Sequence, residues 1–244
     1  MADMGAYACW SMAISRRVQA TFVAAVMIVG CATLAGETSA AVGTVSPAAH
    51  RVEYGVIGPD PLALVAAQAL DAWNLFNEVG ALTSASTKVQ EAIFADFIRL
   101  RDQVAAEAAT QLGIDPARMQ AAWIKADRIR QLAVLSAFTQ LGVPYGHFAR
   151  KPGVGFDCSG ITSWAWEQAG LEIPRGAKWQ ITSASEVTAE TALAGDLIFY
   201  PTHVMMYLGV DFAIIHSPNR KSTVNLSNVW KRKVPNLQWG NPLG

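Results

Sequence analysis

An α+β domain over residues 131–244, preceded by an α-helical module over 60–130, is the architecture this sequence predicts, on three observations. Apolar residues recur at helical spacing from residue 60 to beyond 130, punctuated by Asp-Pro start signals. After Gly142 the pattern changes to short apolar runs separated by Gly, Pro and Asn, as strands require. Between these regimes Asp157-Cys158-Ser159-Gly160 follows a glycine-rich loop and opens a further helical run to Gly170. Helices preceding an antiparallel meander give helices packed on one sheet.

Each element follows from local signals. Asp60 is an N-cap with Pro61 at the first helical position, and Leu62, Val65, Ala69, Ala72, Trp73 and Phe76 share a stripe until Gly80. A second helix begins near Thr87, where Thr87 and Gln90 have capping-box spacing, and Ile93, Phe97, Leu100 and Val104 line it as far as Gly113. Asp115-Pro116 opens a third helix that runs towards Leu141-Gly142. These stripes read as core; the sharper reading is that the module covers a groove or meets a protein partner, which the sequence does not name. Leu197–Tyr200, His203–Leu208, Phe212–His216 and Thr223–Leu226 read as strands.

The 244 residues are 52% apolar and 16% charged, enough for a sizeable core. Zero formal net charge and no basic stripe exclude a nucleic-acid footprint. Residues 1–40 read as a signal peptide or membrane anchor. Arg16-Arg17 flank an uncharged run from Ala20 to Ala35, and Thr38-Ser39-Ala40 offers a cleavage site. Ile28-Val29-Gly30-Cys31 leaves lipidation as a further route to a membrane tether. Every route implies export, secreted or associated with the cell envelope. Residues 41–59, with Gly43, Pro47, Gly55 and Gly58, read as a linker.

Cys9 and Cys31 lie in the export segment, so Cys158 is the sole thiol beyond it and no internal disulfide is expected. A cysteine in the first turn of a helix feels the positive end of the dipole, which favours thiolate. His203 and His216 each sit at the end of a strand-like run. A two-residue turn at Gly209-Val210 would set His203 directly opposite His216. One thiol with two imidazoles suggests a nucleophile, a base and an orienting group: Cys158, His203 and His216. No fourth ligand stands at motif spacing, so neither metal nor cofactor is expected.

The successive motifs are Gly142-Val143-Pro144-Tyr145, Gly155 to Gly160, Ile173-Pro174-Arg175 with Gln180, Gly195 to Phe199, His203-Val204 with Tyr207-Leu208-Gly209, and Ile215-His216-Ser217-Pro218. In this order, across about residues 132–230, the sequence resembles the NlpC/P60 cysteine peptidases. The resemblance implies a papain-like α+β core and hydrolysis of bacterial cell-wall peptidoglycan, usually between γ-D-glutamate and a diamino acid. It implies Cys158 as nucleophile, His203 as base and His216 as third member. Tyr145 falls where the family has a tyrosine near the thiolate, a substrate-binding or oxyanion role, and Asp157 and Ser159 sit where some members contact substrate. The chain departs from the family pattern at His147-Phe148-Ala149, Gly176-Ala177 and Met205. Two rival functions are a catalytically silent wall-binding scaffold and an amidase or acyltransferase on another substrate.

Overall fold

The computed structural model describes residues 50–82, 86–229 and 231–244. The reading of 1–40 as an export segment, and of the linker up to residue 49, falls outside the described residues. Helix α1 (Pro61–Gly80) starts as its sequence dictates, with Asp60 accepting the Leu62 amide at 2.8 Å. Its buried Leu62, Ala66, Leu70 and Trp73 lie against α2 (Thr87–Leu112), which buries Phe97, Val104 and Ala108 in return. Gly113 ends α2 at φ +70, a left-handed conformation that glycine takes without strain.

Two helical expectations need correction. The Thr87/Gln90 capping box does not form: Ser86 is the N-cap, Thr87 is already inside the helix, and no side chain bonds a free amide there. The expected third helix is two, α3 (Pro116–Lys125) and α4 (Arg128–Phe138). Asp127 adopts extended backbone between them and accepts the Arg130 amide at 3.0 Å, so the same residue interrupts one helix and starts the next. Residues 50–59 contain neither helix nor strand but are pinned. Val52 and Asn74 exchange two hydrogen bonds at 2.8 and 2.9 Å, and the Gly58 amide donates to the Thr139 carbonyl at 2.7 Å.

The short strands β1 (Arg150–Lys151) and β2 (Gly155–Phe156) pair with each other and lead into α5 (Cys158–Gln168), then α6 (Ala177–Ser183). The main sheet is antiparallel in the order β3-β8-β4-β5-β6-β7. Its strands are β3 (Ser185–Glu186), β4 (Leu197–Tyr200), β5 (His203–Tyr207), β6 (Ala213–His216), β7 (Asn225–Asn228) and β8 (Gln238–Asn241). The α+β class is therefore as expected. Apolar residues cover both faces of β4 and β5. Leu197, Phe199 and Val204 pack with Ile181 and Cys158, while Ile198, Met205 and Tyr207 pack with Ile214 and Trp239. Trp123, Phe138, Phe156, Ile161 and Trp166 belong to a larger core shared by helices and sheet.

The β5–β6 connection is wider than the two-residue turn expected. Tyr207 pairs Ile214 and Met206 pairs Ile215, with the Leu208 amide donating to Ala213 O at 2.9 Å. The loop is thus Gly209–Phe212, shifting the register by two. Helix α3 holds this loop: Trp123 Nε1 donates to Leu208 O at 3.0 Å, and Arg118 makes two bonds to Asp211 at 2.8 and 3.1 Å. Gly209 (φ +88) is required there, since a Cβ would lie 2.9 Å from Ala122 Cβ.

Candidate active site

Cys158 is the first residue of α5, and a network of side chains fixes that end of the helix. Asp157 Oδ1 caps it by accepting the Gly160 amide at 2.6 Å. Arg175 bridges three groups: Nη2 donates to Asp157 Oδ2 at 2.8 Å and to Ala149 O at 3.0 Å, and Nη1 donates to Ser159 Oγ at 2.7 Å. Buried Gln180 donates to Ser159 O at 2.8 Å and accepts from Thr162 Oγ1 at 2.7 Å. Gly160 cannot carry a side chain, because its Cβ would sit 2.2 Å from Ala149 O. Asp157 and Ser159 are buried and bonded inside this network. Asp157 caps the helix, while the Ser159 hydroxyl donates to Asp157 Oδ1 at 3.3 Å and accepts from Arg175.

The thiol of half-buried Cys158 departs from the expectation of a lowered pKa. Burial pushes it up, and the Asp157 carboxylate adds to that. The backbone N–H groups of Val204, Ser159 and Cys158 act in the opposite direction but do not prevail. Desolvation of a thiolate therefore outweighs the helix end at this site. The bond from Val204 also places the thiol beside β5, one residue from His203.

His203 and His216 are brought together, though not by the predicted pairing. His203 Nε2 lies 2.8 Å from His216 Nδ1, with ring centroids 5.1 Å apart and planes at 68°. A register shift of two leaves every side chain on its original face, so the rings meet as diagonal neighbours instead of opposed ones. His216 Nε2 lies 3.2 Å from Ser227 Oγ. Ser217, fully buried, donates to Phe156 O at 2.7 Å and ties the end of β6 to the segment that delivers Cys158.

Two cavities adjoin at Thr202. One, about 470 Å³, is lined by Cys158, Tyr145, His147, Phe148 and Arg175. The other, about 570 Å³, is lined by His203, Met205, His216, Asn225 and Ser227. Thr202 lines both and has φ +72, a strained value for a β-branched residue, in the two-residue turn before His203. Tyr145 stands by the Cys158 thiol: burial raises its pKa, and the charges of Asp157 and Cys158 raise it further. Trp164 and Trp166 are core residues, whereas Trp179 is 71% exposed on α6. None of the residues lining either cavity comes from 60–130, so among the described residues the helical module does not cover the groove. It holds the β5–β6 loop instead, at the far end of β5 from His203.

Arg175, Gln180 and Ser217 were visible as motif members without a role, while Ser227 carried no signal that separates it from other serines. Among the described residues no group of three or more His, Cys, Asp or Glu stands close enough to hold a metal ion.

The NlpC/P60 family model matches residues 142–239. A probable endopeptidase of Corynebacterium glutamicum is 40% identical over 98 residues, covering 39% of this chain and 46% of that protein. The bifunctional muramidase/DL-endopeptidase CwlT of Bacillus subtilis is 37% identical over 76 residues, covering 28% and 23%. A gamma-D-glutamyl-L-lysine dipeptidyl-peptidase of Bacillus cereus is 38% identical over 94 residues, covering 35% and 28%. The chain thus spans less than half the length of each of these relatives. The matched segment contains α5, β4–β7 and every residue of the thiol and imidazole cluster, and residues 142–239 are an NlpC/P60 domain.

Proposed function

We propose that this protein is an exported peptidoglycan hydrolase, a cysteine endopeptidase that cuts the stem peptide between γ-D-glutamate and the following diamino acid. The observation that carries this reading is the placement of Cys158 at the start of α5, bonded by the amide of Val204, the residue next to His203, whose ring lies 2.8 Å from His216. The names of the Corynebacterium and Bacillus relatives support the reaction class and the bond.

The Cys158 proton passes to His203, and the sulfur attacks the γ-glutamyl carbonyl carbon. His203 Nε2 is engaged by His216, so the proton goes to Nδ1. The resulting oxyanion is met by the backbone N–H groups of Cys158 and Ser159, which face the thiol in the resting site, and by the Tyr145 hydroxyl. The C–N bond then breaks, and the diamino acid leaves with the proton returned by His203. Water, deprotonated by the same imidazole, hydrolyses the thioester and restores the thiol. Burial pushes the thiol pKa up, so the thiolate forms by passing its proton to His203. None of these steps uses a cofactor.

Mass spectrometry of products from purified muropeptides tests the bond. The expected products end in D-glutamate and begin with the diamino acid; glycan cleavage or release of D-alanine alone would overturn the assignment.

A further inference from the structure

We infer that Ser227 is a positioning residue for the reaction proposed above, on which the inference rests, and that its hydroxyl accepts the Nε2–H of His216 and so favours the tautomer whose Nδ1 can accept from His203. Ser227 Oγ lies 3.2 Å from His216 Nε2, and the other nitrogen of that ring, Nδ1, lies 2.8 Å from His203 Nε2. The sheet register makes the contact. Ile214 pairs Ser227 and His216 pairs Asn225, so Ser227 is the diagonal neighbour of His216 on the same face. Strand β7 is held in turn by α2, through Asn228 Nδ2 donating to Leu112 O at 3.3 Å.

The proton inventory gives Ser227 its role. Which nitrogen of a neutral imidazole carries hydrogen is set by the bond the other nitrogen makes. Once His203 has received the thiol proton on Nδ1, its Nε2–H donates to His216 Nδ1. His216 must then carry its own hydrogen on Nε2, and that N–H needs an acceptor, which Ser227 Oγ supplies. In the opposite tautomer His216 Nδ1–H would donate to His203 Nε2. His203 would then hold its hydrogen on Nδ1 and could not accept the thiol proton. Ser227 thus acts on the nucleophile through two rings, without touching substrate.

The test uses the full chain and its Ser227→Ala and Ser227→Thr variants on muropeptides, with ¹⁵N NMR of the histidine rings. Ser227→Ala should lower kcat about tenfold (~1.4 kcal/mol of transition-state stabilisation) with KM unchanged. Ser227→Thr, which keeps the hydroxyl, should restore most of that loss. The nitrogen shifts should show His216 as the Nε2–H form in the native protein and a mixture in Ser227→Ala. An unchanged kcat and unchanged tautomer in Ser227→Ala would overturn the inference, as would equal impairment of the Ala and Thr variants. If the native protein cleaves no muropeptide, the functional reading fails, while the ring shifts still decide whether Ser227 sets the tautomer.

Discussion

The Ser217 hydroxyl donates to the Phe156 carbonyl at 2.7 Å, so the residue after His216 is tied to the residue two before Cys158. The two halves of the site lie some sixty positions apart in the chain, and this buried bond links them directly. Phe156 O also accepts the Gly146 amide at 3.0 Å, so losing Ser217 would not leave it unpartnered. Ser217→Ala should therefore cost only about 1 kcal/mol of stability, the net worth of one hydrogen bond. The loss of kcat should be larger than that of stability, because the thiol and imidazoles drift apart. Thermal melts and turnover of the same preparation check this, and a melt loss with native kcat would contradict it.

The thiol makes a prediction with a definite sign. Burial raises its pKa, so the folded protein holds the Cys158 proton more tightly than the unfolded chain does. That contribution to stability is complete below the unfolded thiol value, about 8.5. It is lost as pH rises through the folded value. Denaturant melts should show the native protein losing stability relative to Cys158→Ala on the alkaline side only. In His203→Ala, where no imidazole can take the proton, iodoacetamide alkylation should rise only above the ordinary thiol range. Fast alkylation of that variant at neutral pH would mean that the helix end outweighs burial after all.

Phe148 sits at φ +55 with 79% of its surface exposed, at the rim of the Cys158 cavity. A strained bulky residue costs about 1–3 kcal/mol, and glycine takes that conformation freely at about 0.5–1 kcal/mol of extra chain entropy. Phe148→Gly should leave the melting temperature unchanged or higher. If the ring contacts substrate, KM should rise about fivefold, the worth of a ~1 kcal/mol aromatic contact. A lower melting temperature, or an unchanged KM, would contradict one half of this expectation each.

Arg130 joins α4 to the sheet. Its guanidinium bonds Asp196 at 3.1 and 3.3 Å and also meets Asp127 and Asn241. Arg130 and Asp196 are both buried, and burial raises the Asp196 pKa in spite of the partner. Removing one member of such a pair strands the other, so Arg130→Met should cost about 3–5 kcal/mol. Adding Asp196→Asn should recover part of the loss. A double variant less stable than Arg130→Met would show that Asp196 is held by its other bond, from the Leu193 amide at 2.8 Å, more than by Arg130.

What could be read in advance was local. Asp60-Pro61 and Asp115-Pro116 start helices because a cap and a proline act within one turn, and Cys158 heads α5 on the Asp157 cap alone. The break at Asp127 was missed because the apolar stripe continues across it, and one capping side chain decides the matter. The hairpin register was misjudged because loop width depends on how α3 seats Gly209–Phe212, a contact between distant segments. The histidines met regardless, since an even shift preserves the face. Arg175, Gln180, Ser217 and Ser227 act through partners 11 to 61 residues away, and nothing in their neighbours announces such bonds.

The central claim is that Cys158 is the nucleophile of a wall-peptide endopeptidase. The most direct measurement compares residues 41–244 with the same chain carrying Cys158→Ala, on purified muropeptides under identical conditions. Cleavage after γ-D-glutamate by the native sequence, with none by the folded variant, is the predicted result. Cleavage that survives Cys158→Ala, or no cleavage by a folded native protein whose thiol alkylates readily, would contradict it.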